Sequence, residues 1–247
     1  MAVFNVMEKL GLSIDEVDAL TGPISGRPKS ATFRTADVVG IDTLVKVAKN
    51  TYADCPNDES RDMFIVPAYV EKLIENKWLG DKTGNGFFKK VKNAEGKSEI
   101  HVLNLKTFEY TPSAKAKFAT VDAAKQIDDV KSRIKALHHG TDKAGDFYRN
   151  VTALVNKYVS FRIPEIADEL YKIDDAVKAG FGWELGPFET WDVLGVEKTA
   201  QMMEASGFAP AAWVKEMTAA GNKSFYITEN GKRKFYDVAT KSYKDIP

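Results

Sequence analysis

Residues 18–42 read DALTGPISGRPKSATFRTADVVGID, and residues 174–197 read DDAVKAGFGWELGPFETWDVLGVE. Laid over one another at Phe33/Phe188, Asp37/Asp192 and Gly40/Gly195, the two phrases share a single offset. Upstream of the anchors an acidic residue precedes a Gly- and Pro-rich turn in each copy, with a small slippage: Asp18, Gly22 and Gly26 against Asp174, Gly180 and Gly182. A two-fold internal repeat is therefore the first inference about architecture, because overlooking a repeat mis-assigns the whole fold.

The ends of the copies repeat as well. Phe87-Phe88-Lys89-Lys90-Val91, Ala94-Glu95-Gly96-Lys97 and Val102 to Thr107 with Tyr110 form one series. Phe225-Tyr226-Ile227, Glu229-Asn230-Gly231-Lys232 and Phe235 to Thr240 with Tyr243 form the other. Asn-Gly between aromatic and β-branched runs is a strong hairpin signal, and Glu95-Gly96 is a weaker form of it. The expected architecture is mainly α: two tandem helical repeats, residues 1–112 and 113–247, each ending in a short β-hairpin, with the junction between about 92 and 118.

The helical signals are local. Met1–Leu10 is stopped by Gly11, and Ser13 with Glu16 forms a capping box that opens a helix through Leu20. Thr35 is placed to cap a helix from Ala36 to Tyr52, and Pro67 sits early in another. Apolar spacing predicts a helix over Val121–His138 and a longer one over Asp142–Phe161; Pro164 is expected to start the helix leading into the second phrase. Val196–Ala205 mirrors the helix after the first phrase. No strand–helix alternation predicts a parallel sheet.

Composition narrows the function class. Lys+Arg 35 against Asp+Glu 35 leaves no net charge, which argues against a dedicated nucleic-acid or anionic-membrane binder. The hydrophobic fraction of 44% supports packed cores, and the single cysteine, Cys55, excludes an internal disulfide. No apolar run is long enough to span a bilayer, and the N-terminus lacks a signal-peptide pattern. The expectation is a soluble, cytoplasmic protein.

Familiar catalytic patterns are missing. Gly80-Asp81-Lys82-Thr83-Gly84-Asn85-Gly86 has the wrong spacing for a dinucleotide loop and precedes a hairpin, so it reads as a turn. His101 lies in a hairpin strand, while His138-His139 end a helix, where the dipole favours histidine. No metal-ligand spacing or nucleophile–base arrangement occurs, and Asp174-Asp175, being adjacent on a helix, diverge. The repeated Asp37 and Asp192 can accept amide hydrogen bonds from a turn and pin it against a helix, a packing role. The functional alternative is that Gly22-Pro23 and Arg27-Pro28 shape one wall of a substrate cleft, with Arg27 and Lys29 as its cations toward an anionic ligand.

The phrase Asp18-x3-Gly-Pro-x2-Gly-Arg-Pro-Lys-Ser-Ala-Thr-Phe-Arg-x-Ala-Asp-x2-Gly-x-Asp resembles the C-terminal domain of NAD-dependent 3-hydroxyacyl-CoA dehydrogenases. Gly182-Trp183-Glu184-Leu185-Gly186-Pro187-Phe188-Glu189-x2-Asp192 is similar to that family's Gly-Pro-Phe-Glu phrase, and Asp81 to Phe88 resembles its Lys-Thr-Gly-x-Gly-Phe-Tyr ending. The second copy departs from the pattern where Asn222-Lys223-Ser224 replaces the Gly-rich turn.

This resemblance implies a helical fold like that of the 6-phosphogluconate dehydrogenase C-terminal domain, in tandem as in multidomain bacterial enzymes of fatty-acid β-oxidation. It implies NAD and the catalytic His and Glu on an N-terminal Rossmann domain outside this sequence, an acyl-CoA substrate, an enoyl-CoA hydratase domain as a further partner, and a homodimer or pseudo-dimer. The family's substrate-orienting Asn lies just before Met1, since Ala2–Glu8 resembles the stretch that follows it, and Asn5 is not that residue. The chain thus reads as a segment or remnant of a larger enzyme, inactive alone. The residues expected to line the acyl-CoA cleft are Gly22, Pro23, Arg27, Pro28 and Phe33, all in the first copy; the second copy, with Trp183, Phe188 and Trp191, is expected to pack as a structural partner. The competing expectation is a non-catalytic helical scaffold or oligomerisation module.

Overall fold

The computed structural model describes all residues 1–247. Helices α1 (Ala2–Leu10), α2 (Ile14–Thr21), α3 (Phe33–Val39), α4 (Ile41–Asp54) and α5 (Ala68–Glu75) lead into strands β1 (Phe88–Lys92), β2 (Ser98–Asn104) and β3 (Glu109–Pro112). Helices α6 (Ala119–Ala124), α7 (Val130–His139), α8 (Lys143–Glu165), α9 (Leu170–Phe181), α10 (Pro187–Leu194), α11 (Val196–Ala205) and α12 (Ala212–Ala219) lead into β4 (Tyr226–Glu229), β5 (Lys232–Asp237) and β6 (Ser242–Asp245). No helix is long and apolar enough to cross a membrane.

Two compact units result. One comprises Met1–Ile24 and Lys29–Phe118; the other comprises Ser25–Pro28 and Ala119–Pro247. The first is organised around three rings, Phe33 lying 4.8 Å from Phe4 and 4.7 Å from Phe87 between centroids. The second is organised around Phe188, Trp191 and Phe225, with Phe225 5.0 Å from Phe188 and 5.1 Å from Trp191. All of these rings except Phe4 are fully buried, so burial of aromatic area supplies much of each unit's stabilisation.

The capping box at Ser13 forms as expected: the Ser13 amide donates to Glu16 Oε2 at 2.8 Å and the Glu16 amide to Ser13 Oγ at 3.4 Å. Several boundaries differ from the sequence expectation. The single helix expected over 36–52 is two, because Gly40 adopts φ 103° and ψ 124°, which ends α3 and redirects the chain into α4. That conformation is open to glycine and closed to most other residues. Gly195 makes the same break between α10 and α11 with φ 89° and ψ 115°. The helix expected over 121–138 is also interrupted: α6 ends at Ala124, and Asp129 caps α7 by accepting from the Ser132 amide at 2.7 Å. A short carboxylate placed for capping wins over apolar periodicity there. Pro164 does not start a helix toward the second phrase; it lies near the end of α8, and Ile163 leaves helical geometry (φ −108°, ψ 119°) because the residue before proline is excluded from the α region.

The expected hairpins are three-stranded antiparallel meanders, β1-β2-β3 and β4-β5-β6. The third strands return through turns that contain neither glycine nor proline. Asn104 Oδ1 accepts from the Lys106 amide at 2.9 Å, and Asp237 Oδ1 from the Thr240 amide at 2.8 Å. Phe108 (φ 61°) and Lys241 (φ 52°) take the left-handed position that follows. The returning tyrosines are tied down alike: the Tyr110 hydroxyl donates to the Gly86 carbonyl at 2.7 Å and the Tyr243 hydroxyl to the Ser224 carbonyl at 2.6 Å.

Candidate functional site

The repeated phrases build one arrangement in each unit. In the first, Asp18 on α2 accepts from the amides of Thr32 (3.1 Å), Phe33 (2.7 Å) and Arg34 (2.9 Å), where α3 begins. Asp37 on α3 accepts from the amides of Phe87 and Phe88, both at 2.8 Å, where β1 begins. In the second, Asp174 on α9 accepts from Phe188 (2.9 Å) and Glu189 (3.0 Å), where α10 begins. Asp192 on α10 accepts from Phe225 (2.7 Å) and Tyr226 (2.8 Å), where β4 begins. Orphan amides at a helix or strand start, with no other partner, are satisfied by charge-assisted bonds. The chain approaches these carboxylates so closely that a Cβ added to Gly86 would fall 2.2 Å from Asp37 Oδ1, and one on Gly186 2.3 Å from Asp174 Cγ.

Burial outweighs those hydrogen bonds in setting protonation. It pushes Asp18, Asp37 and Asp192 up to about 6, and Asp174 up to about 7. Asp174 also accepts from the Tyr226 hydroxyl at 2.8 Å, so one tyrosine joins both carboxylates of its unit: its amide on Asp192 and its hydroxyl on Asp174.

Of the five expected cleft residues, Gly22, Pro23 and Phe33 lie in the first unit and Arg27 and Pro28 in the second. Gly22 is buried, while Pro23 is exposed at the start of a single turn of 3-10 helix, Pro23–Ser25, whose other two residues are half-buried. Phe33 has 0% exposure and packs between Phe4 and Phe87, so it is a core residue and lines no cleft; an aromatic flanked by two amides bound to Asp18 is held inside by its own backbone. Arg27 and Pro28 belong to the second unit. The Arg27 guanidinium lies 3.8 Å over the Trp183 ring, the Gly26 carbonyl accepts from the Glu184 amide at 2.8 Å, and Pro28 packs against Gly182. Loss of water lowers the Arg27 pKa to about 10, and no carboxylate is bonded to it.

The remaining chemical candidates are His138, Cys55 and the pair Asp174-Asp175. His138 is held by Ile134 O at 2.8 Å and Thr152 Oγ1 at 2.7 Å, and burial pushes it down to about 4, so it is neutral. Cys55 is exposed and free. Asp175 turns away from Asp174 to meet Lys178 at 3.0 Å. No group of three or more His, Cys, Asp or Glu is placed to hold a metal ion. Nor do the residues fit NAD: both sheets are antiparallel meanders, and Gly84-Asn85-Gly86 leaves a 3-10 turn for β1 and opens no helix onto a pyrophosphate.

One feature of the second unit lies outside the sequence expectations, a cleft of about 600 Å³ lined by Tyr171, Asp175 and Lys178 of α9, Tyr226 of β4, Lys232 and Arg233 of β5, and the segment Asp245–Pro247. Behind it Glu189 accepts from the Gly186 amide at 2.8 Å and pairs with Lys178 (3.1 Å) and Arg233 (2.7 Å). Two signals were available: Glu189 stands at the capping-box position of α10, and Tyr171, Asp175 and Lys178 recur at the spacing of one helical face.

Comparison with known proteins gives this geometry a family. The family described as 3-hydroxyacyl-CoA dehydrogenase, C-terminal domain, matches residues 1–90 and again 151–237. A protein of Bacillus subtilis (strain 168) named "Probable 3-hydroxyacyl-CoA dehydrogenase" is 45% identical over 231 residues, 94% of this chain and 28% of that protein. The fatty acid oxidation complex subunit alpha of Psychrobacter cryohalolentis is 26% identical over 233 residues, 91% of this chain and 29% of that one. The chain therefore spans less than a third of the length of these relatives. The crystal structure of 3-hydroxybutyryl-CoA dehydrogenase from Escherichia coli K12 has the same fold, with a TM-score of 0.51 at 14% identity over 89% of this chain and 57% of that one. With two stretches matched that together cover most of its length, the chain belongs to the 3-hydroxyacyl-CoA dehydrogenase C-terminal domain family.

Proposed function

We propose that this chain is the substrate-side and dimerisation segment of an enzyme of fatty-acid β-oxidation that oxidises (S)-3-hydroxyacyl-CoA to 3-ketoacyl-CoA with NAD. The observation that carries the reading is the family match on both halves of the chain, each centred on a carboxylate-pinned phrase. We read the halves, residues 1–112 and 113–247, as two copies of one domain; the equivalence of Asp18 with Asp174, Asp37 with Asp192, and Tyr110 with Tyr243 supports duplication. The cofactor and the acid–base residues then sit on a Rossmann domain elsewhere in the parent protein, an enoyl-CoA hydratase domain is a further partner, and the whole works in the cytoplasm. Hydride transfer needs a bound nicotinamide and proton removal needs a positioned base; with both on the Rossmann domain, this reading makes the chain inactive alone.

Within that reading the first copy's loop faces acyl-CoA. Pro23 is exposed, and Arg27 is a desolvated cation with no carboxylate bonded to it, the state of a residue that accepts an anionic group from elsewhere. Phe33 contributes only by holding the loop's end. In the full-length enzyme, Arg27→Ala is expected to raise KM for 3-hydroxyacyl-CoA about tenfold, the equivalent of one lost charge-assisted bond, with KM for NAD unchanged. Unchanged kinetics with both substrates would remove Arg27 from the substrate side.

A further inference from the structure

The second unit carries polar side chains that its fold does not require. Strand register and the pinned amides set Glu189, Tyr226 and Arg233 against Arg34, Phe88 and Ile100 of the first unit. There Arg34 turns to Asp81 and Ile100 lies exposed on the sheet, yet Asp18 and Asp37 bind their amides just as Asp174 and Asp192 do. The same architecture closes without the polar set, so packing does not account for it.

In the second unit Tyr226 and Arg233 of that set line the 600 Å³ cleft, with Glu189 paired to Arg233 behind them, and the volume suits a small organic molecule. Glu189, its side chain only 10% exposed, gives one oxygen to both Lys178 and Arg233 and the other to the Gly186 amide. A single carboxylate oxygen uses few of the eight N–H donors of an ammonium and a guanidinium together. Arg233 is further fixed by lying 4.1 Å over the Tyr226 ring, and 47% of its side chain remains exposed. Lys232 stands at the rim. The carboxylates near these cations, Asp175 and Asp245, are themselves more than half exposed and free to turn to water. Tyr171 and Ile246 give the cleft an apolar side.

Two lysines and a fixed guanidinium that line one cleft with an aromatic and an aliphatic side chain match a dianion attached to an apolar or planar group. We infer that this cleft binds an organic phosphate monoester, with the phosphate on Lys178, Lys232 and Arg233 and the organic part against Tyr171 and Ile246. The site is separate from the Arg27 loop, and the inference stands whether or not that loop faces acyl-CoA.

NMR titration of isotope-labelled chain with adenosine monophosphate, adenosine and inorganic phosphate, up to about 10 mM, tests it. Adenosine monophosphate is expected to shift the Tyr171, Tyr226 and Arg233 signals, inorganic phosphate to shift Arg233 and Lys232 while leaving Tyr171 in place, and adenosine to bind at least about tenfold more weakly than its monophosphate. Arg233→Gln should weaken the monophosphate about tenfold or more, and Lys232→Gln, at a rim position that leaves the Glu189 pairs intact, by a smaller factor. Signals that stay put with all three probes, equal binding of adenosine and its monophosphate, or unaltered affinity in the folded Lys232→Gln and Arg233→Gln variants would each overturn the assignment.

Discussion

The two units hold their chain crossings with the same four bonds and fill the space around them differently. Asp37 and Asp192 each take two amides from the start of the following sheet, and Asp18 and Asp174 each take the matching two of the following helix, Asp18 with a third from Thr32. Beside these constants, Trp191 stands where the first unit has Ala36, with Phe4 supplying ring area there instead. Gly86 stands where the second unit has Ser224, and Phe88 where it has Tyr226. The difference teaches that backbone hydrogen-bonding demand fixes the carboxylates, whereas apolar volume can be supplied from either end of a unit.

That distinction can be broken at several points. Trp191→Ala should destabilise the second unit by about 3–5 kcal/mol, because a fully buried ring and its indole bond to the Val196 carbonyl (3.1 Å) are lost together. Ala36→Gly, at the matching position, should cost only about 1 kcal/mol. Urea unfolding of the two variants measures both, and equal losses would mean that the positions are not counterparts. Asp37→Ala and Asp192→Ala should cost similar amounts, about 2–4 kcal/mol each, since either leaves two amides without an acceptor. A loss confined to one of them would show that the shared bonds are not shared in energy.

Gly86→Ala should be destabilising by about 1–3 kcal/mol, with Asp37 Oδ1 only 2.2 Å from the new methyl, while Ser224→Ala should stay within about 0.5 kcal/mol of wild type. The effect of pH divides the units more finely. Asp174 has a folded pKa of about 7 against an ordinary value of 3.8, so on folding it takes up a proton between those values; its contribution is present at low pH and lost as pH rises through 7. Asp18 follows the same sign but reaches only about 6. Replacing Asp174 by Asn should therefore remove more of the slope of stability against pH between 5 and 8 than Asp18→Asn does. His138 has the opposite sign, pushed from 6.5 to about 4, so it stays neutral in the fold and stability is lost as pH falls through that window; His138→Gln should flatten that loss. The smallest effect belongs to the first unit's exposed pair of Lys82 and Asp42, where Lys82→Ala should change stability by about 0.5 kcal/mol or less and lose even that in high salt.

Much of this was legible in the chain. The paired phrases contain both sets of pinned carboxylates, and Asp37 and Asp192 are readable as amide acceptors from their place after an aromatic. The helix limits at Gly11 and Ser13 followed from local chemistry. What failed needed information from afar. Periodicity carried a helix through Gly40 because apolar residues continue on both sides, and only the conformation shows the break. The third strands depend on Asn104 and Asp237 folding back on the next residues, a turn without glycine or proline to announce it. Phe33 was placed beside a cleft by its neighbours in sequence, whereas its partners are Phe4 and Phe87. The cleft around Arg233 joins residues from α9, β4 and β5, and no single stretch contains it.

Ser25–Pro28 belong to the second unit although they are synthesised within the first. The second unit is therefore discontinuous: Arg27 on Trp183 and the Gly26–Glu184 bond close a loop of more than 150 residues. The entropy of closing so long a loop sets these contacts among the last to form, after the local helices and meanders. On a ribosome, Arg27 emerges early and waits for its aromatic partner until most of the chain has followed. A gene cut between residues 112 and 113 would separate them for good, leaving the downstream piece without four residues of its own body.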